Sequence, residues 1–266
     1  VTELLAPAKL NLALVVGPRR PDGKHEVATV LQRIGLADTL ALEPFDALAV
    51  EGFLEDTLVR RALELIASSA GVEPAWRVTI EKRIPVASGL GGGSSDAAAA
   101  LRLANDTLDR PLADPDLHAL AAELGADVPF FLTQGPQLGE EDGTRLSPLD
   151  LPRDHWIVLV LPAGERKAST AAVYEAFDRR SGHEGFERRR DELRQALVLG
   201  DLAALPANDL ASSPLADELR ELGAFRADVT GAGPVVYGLF TDESQAVIAA
   251  GALQSRGDVW VTTTGW

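Results

Sequence analysis

The residues of this chain that could do chemistry fall into four short segments. The densest is Pro85-Val-Ala-Ser-Gly-Leu-Gly-Gly-Gly-Ser-Ser95, followed by Asp96 and four alanines. Four of the five positions 89–93 are glycine (Gly89, Gly91, Gly92 and Gly93, around Leu90). Without Cβ atoms their backbone N–H groups are open to a ligand. The run then enters the start of a helix, expected at Ser94. Unpaired donors and the positive end of the helix dipole meet there and favour an anion, phosphate first. Ser94 and Ser95 add hydroxyls suited to phosphate or Mg²⁺. A tight turn with Ser94 as a cap is the plainer reading of such a run. The length of the glycine tract and the small residues behind it favour phosphate. It is not a Walker loop, because no GK[ST] follows, and it is a poor dinucleotide-binding fingerprint.

Lys9 and Asn11 form the second segment. Strand periodicity puts both on one face of 6–16 (APAKLNLALVV), opposite Ala8, Leu10 and Leu12. A solvated edge face is the ordinary explanation of such a pair. Composition argues for a site: the chain has 25 basic residues but only four lysines (Lys9, Lys24, Lys82, Lys167), and only three asparagines (Asn11, Asn105, Asn208). The third segment is Gly125-Ala-Asp-Val-Pro-Phe-Phe131. Its Asp127, set among apolar residues after a helix, could be a general base or a metal ligand, or simply a capping Asp. The fourth is Thr230-Gly-Ala-Gly233, a second glycine loop and a weak signal alone.

Periodicity and breakers lay out the elements that must position these groups. Strands are expected at 6–16, as two pieces within 25–44, at 76–85, 155–162 and 258–264, and on both sides of a glycine loop within 225–242. Helices are expected at 56–70, with Leu58, Ala62, Leu65 and Ile66 in one stripe, then at 114–124, 170–180, 184–199, 214–223 and 243–255. The 114–124 helix reads with Asp114 as N-cap and Pro115 first inside it. Residues 126–132 lead into a short strand, and 134–154 read as an inter-domain loop. This gives an α+β protein of two domains, 1–148 and 149–266.

Composition removes several classes. No cysteine is present, which excludes disulfides, thiolate catalysis and Cys-ligated metals. His25, His118, His155 and His183 are scattered, so a histidine metal site is not expected. The net charge of −15 argues against general nucleic-acid binding. No stretch of about 18 apolar residues appears, so no membrane span is expected. The first residues have no basic leader, and a cytoplasmic location is expected.

Taken in order, the segments resemble the GHMP kinases, the superfamily of galactokinase, homoserine kinase and mevalonate kinase. Ala6-Pro-Ala-Lys-Leu-Asn-Leu12, Arg19 to Glu26, Lys82 to Ala99, Leu124 to Leu132, Asn208-Asp-Leu210 and Thr230 to Phe240 match its motifs across nearly the whole chain. GLGGGSSDAA with GADVPFF is the specific part. The motifs look most like the branch that phosphorylates a cytidine-diphosphate-linked methylerythritol at its C2 hydroxyl, in the non-mevalonate route to isoprenoids.

The resemblance implies two domains, a ribosomal-protein-like N-terminal one and a ferredoxin-like C-terminal one, with the active site in the cleft between them. It implies ATP and Mg²⁺, a small-molecule substrate, and a monomer or weak homodimer. Asp127 would take the hydroxyl proton, and Lys9 would steer the hydroxyl and neutralise the moving phosphoryl group. Lys82, Pro85, Ser88, Gly89, Leu90, Gly91, Gly92, Gly93, Ser94 and Ser95 would hold ATP, with Ser95 toward Mg²⁺. Thr57 falls where the family has an adenine-side Asn. Asn11, Lys24, His25, Thr170, Tyr174, Gly231 and Gly233 would hold the substrate, His25 at the cytosine edge and Tyr174 by stacking. Lys24 replaces a usual Tyr, removing half of an aromatic sandwich, though it could reach a diphosphate. The loop through Arg145 (Gly-Glu-Glu-Asp-Gly-Thr-Arg) also departs from the Gly-rich family pattern. Another GHMP small-molecule kinase and a non-catalytic ATP-binding sensor are the alternatives.

Overall fold

The computed structural model describes residues 1–53, 57–152, 154–165 and 169–265, without the side chain of Thr57. By packing the chain groups into two compact units that interleave along the sequence. One holds Val1–Ala8, Leu36–Val86 and Gly91–Gln134; the other holds Lys9–Gly35, Ala87–Leu90 and Gly135–Trp266. The sequence division at 148/149 follows chain order instead. Two long strands, β1 (Thr2–Arg19) and β2 (His25–Pro44), belong in part to each unit.

β2 is a single strand, not the two pieces expected from the Gly35-Leu-Ala-Asp38 interruption. Gly35 does not turn the chain. A Cβ there would lie 2.9 Å from Thr262 Oγ1, so this glycine permits a close approach and leaves the strand unbroken.

In the first unit, β2 pairs antiparallel with β4 (Trp76–Glu81), Thr39 opposite Glu81, and β3 (Ala49–Glu51) runs parallel to β4. Four helices accompany these strands: α1 (Thr57–Ala70), α2 (Gly92–Asn105), α3 (Asp114–Leu124) and α4 (Val128–Leu132). The buried stripe of α1 is Val59, Ala62, Leu63, Ile66 and Ala67, turned by about one residue from the expected one. α2 starts two residues before Ser94, behind the left-handed Gly91 (φ 73°, ψ 18°). Its alanines 97–100 are all buried; their small size lets neighbouring helices approach closely. The N-cap of α3 is Ala113, and Asp114 lies inside the first turn. Residues 128–132 form a helix where a strand entry was expected. Pro129 is tolerated in its first turn, and burial of Val128, Phe130 and Phe131 overrides their strand preference.

In the second unit, the first half of β2 pairs with β5 (Gln137–Glu141), which turns back into β6 (Arg145–Pro148). The expected loop at 134–154 therefore contains a hairpin. Its turn is set by Gly143 (φ 97°) and by Asp142, whose carboxylate accepts from the Thr144 N–H (3.2 Å) and hydroxyl (2.6 Å). The rest of the unit runs β7 (Trp156–Pro162), α5 (Thr170–Arg179), α6 (Phe186–Leu199), α7 (Pro214–Glu221), β8 (Arg226–Val229), β9 (Val236–Phe240), α8 (Glu243–Leu253) and β10 (Gly257–Thr263). The four strands form an antiparallel sheet in the order β10-β7-β9-β8. Numbered within this sheet the order is 4-1-3-2, that of a ferredoxin-like plait. Val158, Val160, Val236 and Phe240 pack there against Leu215 and Leu219 of α7 and Ala246, Ala249 and Leu253 of α8. Among the described residues no helix is long and apolar enough to cross a membrane.

Candidate active site

Lys9 and Asn11 are buried, at 3% and 5% exposure, which removes the solvated-edge explanation. Lys9 Nζ donates to Asn11 Oδ1 (2.5 Å) and Asn11 Nδ2 donates to Thr29 Oγ1 (2.8 Å). The Thr29 hydroxyl in turn donates to the Ala13 carbonyl (2.8 Å). This relay fixes which end of the Asn11 amide faces the lysine. The adjoining backbone is tied as well: Asn11 N–H donates to Thr230 Oγ1 (3.0 Å), and the Leu12 carbonyl accepts from Arg226 Nε (2.8 Å) and Tyr237 OH (3.1 Å). Burial pushes the Tyr237 hydroxyl up to about 12, so it remains a donor.

The two glycine loops meet beside this pair. The Leu90 carbonyl accepts from Lys9 N–H (2.9 Å), and the Ser88 carbonyl accepts from Val235 N–H (3.2 Å). A Cβ on Gly89 would lie 2.4 Å from the Thr230 carbonyl oxygen, and one on Gly231 would lie 3.3 Å from Lys9 Nζ and from the Gly89 carbonyl. Only glycine fits such contacts. Asn208 Nδ2 donates to the Gly231 (2.7 Å) and Val229 (2.9 Å) carbonyls and holds the second loop in place. Gly233 (φ 76°) ends that loop, before a cis bond to Pro234.

The residues expected at the substrate's base form a second group in the same unit. His25 opens β2, its ring 4.8 Å from that of Tyr174, with Nε2 2.7 Å from Asp178 Oδ1. The His25 bond, joined by Arg19 and opposed by burial, holds the Asp178 carboxyl below the usual carboxylate range. Lys24 is not on this ring: its Nζ lies 2.6 Å from Asp142 Oδ2 in the hairpin turn. Burial opposes it, but the Lys24 and Thr144 bonds bring Asp142 down to about 2. Thr170 is the exposed first residue of α5, one turn before Tyr174.

In the other unit the glycine run becomes the start of α2. The first N–H groups of a helix have no intrahelical acceptor, and Gly91 makes no side-chain cap to cover them. Ser94 lies in this first turn. Ser95 Oγ is buried and has no hydrogen-bond partner among the described residues. Gly92 sits against the segment just before Pro85: a Cβ there would come 3.0 Å from Ile84 Cγ2 and 3.3 Å from Lys82 Nζ. Lys82 itself is clamped between Asp38 Oδ2 (2.6 Å) and Asp96 Oδ2 (2.7 Å). Burial alone would lower the ammonium; Asp96 and the Asp38 hydrogen bond outweigh it and raise its pKa above the usual lysine value. Asp38 Oδ1 also accepts the N–H groups of Arg83 (2.5 Å) and Ile84 (2.8 Å). Asp127 occupies the N-cap position of α4, yet its side chain makes no capping bond. Thr57 begins α1, and its side chain lies outside the described residues.

Thr29 and Asp178 escaped the sequence reading, since only the fold brings them to Asn11 and His25; Thr230 and Asn208 were named there within motifs, without the bonds to Asn11 and to the second glycine loop that the structure shows.

A ferredoxin-like plait joined to a glycine loop that opens a helix, with a buried Lys–Asn pair against a second glycine loop, defines a GHMP-type small-molecule kinase. The GHMP kinases N terminal domain is matched over residues 57–135 and the GHMP kinases C terminal domain over 184–259. The chain belongs to the GHMP kinase family. Within that family it is 41% identical to the 4-diphosphocytidyl-2-C-methyl-D-erythritol kinase of Nocardia farcinica (strain IFM 10152), over 95% of this chain and 89% of that protein. It is 35% identical to the protein of the same name from Geobacter sp. (strain M21), over 99% and 96%. A crystal structure of 4-(cytidine 5'-diphospho)-2C-methyl-D-erythritol kinase superposes with a TM-score of 0.83 at 34% identity, covering 100% of both chains. Homoserine kinase from Cytophaga hutchinsonii ATCC 33406 shares the fold, with a TM-score of 0.74 at 18% identity over 98% of this chain and 94% of that one.

Proposed function

We propose that this protein transfers the γ-phosphoryl group of ATP to the C2 hydroxyl of 4-diphosphocytidyl-2-C-methyl-D-erythritol, giving the 2-phosphate and ADP in the non-mevalonate route to isoprenoids, in the cytoplasm. The observation that carries the reading is the buried Lys9–Asn11–Thr29 relay set against Gly89 and Gly231. It is a preorganised cation site, built in a chain 41% identical to a kinase of that name.

The start of α2 suits a nucleotide phosphate: left-handed Gly91, the first helix N–H groups and the buried Ser95 hydroxyl, without a hydrogen-bond partner among the described residues, all favour an anion or its metal. Lys82, clamped by two carboxylates, would act through the shape of that turn. Among the described residues no group of three or more carboxylate or histidine side chains could hold a metal alone, so Mg²⁺ would arrive with ATP and touch Ser95. When bound, Mg²⁺ supplies charge neutralisation on the phosphate oxygens.

Phosphoryl transfer through a loose transition state asks for positioning and charge more than for a strong base. Lys9, steadied by Asn11, would draw the C2 hydroxyl and the moving phosphoryl group together. The hydroxyl oxygen bonds to the γ-phosphorus as the bond to the β–γ bridging oxygen breaks, and ADP leaves. Asp127 would orient the hydroxyl and accept its proton late. His25 and Tyr174 would take the cytosine. Lys24, already paired with Asp142, would need to leave that partner to reach a diphosphate.

A coupled ADP-release assay with Mg-ATP tests the reading. The candidate substrate is offered beside homoserine, mevalonate and galactose, to wild type and Asp127→Asn. Turnover of the cytidylyl compound alone, lost in the variant, is expected. Turnover of another alcohol would keep the family and overturn the substrate.

A further inference from the structure

Asp178 has no role in the chemistry above, yet it is the residue that holds His25. The imidazole is confined on several sides. Tyr174 lies against it at 4.8 Å and 30°, Phe177 meets it edge-on at 6.0 Å and 83°, and Asp178 Oδ1 takes its Nε2 at 2.7 Å. Asp178 is gripped in turn by Arg19, through Nε (2.8 Å) and Nη2 (2.7 Å). An ionised carboxylate can only accept hydrogen bonds, so the ring proton must sit on Nε2. In the neutral ring Nδ1 is then an acceptor that cannot donate.

That choice of tautomer matters for a base. Cytosine presents the N4 amino donor at the position where uracil presents the O4 acceptor. An acceptor at His25 Nδ1 pairs with the first and sets lone pair against lone pair with the second. A polar site left unpaired by the wrong ligand discriminates strongly against it.

We propose that Asp178, steadied by Arg19, is a positioning residue that fixes His25 as the Nε2–H tautomer and so makes the site prefer a cytosine to a uracil in the nucleoside diphosphate part of the substrate. This rests on the proposed function, which gives His25 to the base. Asp178 touches no substrate atom in this account; it acts through the histidine.

The test compares kcat/KM for the cytidine-linked substrate with that for its uridine-linked counterpart, in wild type, Asp178→Asn, Asp178→Glu and His25→Gln. Wild type should favour the cytidine compound by about tenfold or more. Asp178→Asn, whose amide can donate to Nε2 as readily as accept from it, should cut that preference at least about fivefold, through KM rather than kcat. Asp178→Glu, which keeps the carboxylate, should retain most of it. Independently of turnover, ¹⁵N NMR of the histidine side chains, with His25 assigned by its absence in His25→Gln, should show Nε2–H in wild type. An unchanged preference in Asp178→Asn alongside its loss in His25→Gln would overturn the role of Asp178 alone, as would an Nδ1–H ring in wild type. No turnover of either compound by wild type would overturn the proposed function, and with it the base selection.

Discussion

Gly89 and Gly93 stand in one glycine-rich run, but a side chain would meet different surroundings at each. At Gly89 the backbone is left-handed (φ 87°), and a Cβ would lie 2.4 Å from the Thr230 carbonyl oxygen and 3.1 Å from that of Gly233. At Gly93 the nearest atom among the described residues would be Leu58 Cδ1, at 3.6 Å. The carbonyls around Gly89 are engaged, that of Ser88 by Val235 and that of Leu90 by Lys9. Around Gly93 a helix begins, whose first N–H groups have no intrahelical acceptor, and the Ser95 hydroxyl beyond it has no partner among the described residues. The first half of the run is a joint to the second glycine loop; the second half opens a helix and is the half proposed to cradle phosphate. A glycine tract is thus not one device: some of its members permit backbone contact within the protein, and others stand where no such contact requires them.

The largest expected effect is at the joint. Gly89→Ala combines a left-handed alanine with a collision against backbone and should cost about 3 kcal/mol or more of folding stability. Urea unfolding measures it; a loss under about 0.5 kcal/mol would break the comparison. Asp38→Asn comes next. It removes charge from a buried acceptor of two N–H groups and the Lys82 ammonium, and should cost about 2–3 kcal/mol. The sign of the pH dependence follows from the raised Lys82 pKa. Its contribution is complete below the unfolded lysine value of about 10.4 and fades as pH rises through the higher folded value. Wild type should therefore lose stability on that alkaline limb, and Asp38→Asn should show less of the loss. Ser95→Ala should separate binding from folding. Removing a buried hydroxyl that has no partner among the described residues should leave the ligand-free protein as stable or slightly more so, while KM for ATP rises about three- to tenfold. Destabilisation matching that of Gly89→Ala would make Ser95 a structural residue.

Which residues gather at the glycine loops was more legible in the sequence than the local geometry around them. Lys9 and Asn11 stood out as polar residues in an apolar strand and as rare types, and both are buried beside the glycine loops. Residues 128–132 misled because Val and Phe favour strands, while the packing that makes them a helix comes from parts of the chain far away in sequence. The hairpin at 137–148 was hidden by Glu140, Glu141 and Asp142, which read as loop, although Asp142-Gly143 is a turn signal. Gly35 looked like a break, and its true neighbour, Thr262, is 227 residues on in the chain (262 − 35). Asp178 was invisible for the same reason: an aspartate on a charged helix looks solvated until the fold sets it against His25.

The smallest effect is the most discriminating. Gly93→Ala adds a methyl group where 3.6 Å of clearance to Leu58 is ordinary contact, and φ at Gly93 is not left-handed. Alanine is the better helix former and restricts the unfolded chain, so stability should rise by up to about 1 kcal/mol. If glycine stands here for a ligand, the gain in stability should come with a weaker hold on ATP, because the methyl group screens N–H groups that a phosphate would approach. Gain in thermal stability with a raised KM for ATP would set Gly93 apart from Gly89 on both counts. A gain with unchanged KM would move the cradle away from this glycine, toward Gly91, Gly92 and Ser95. A loss as large as that in Gly89→Ala would mean that both halves of the run are structural.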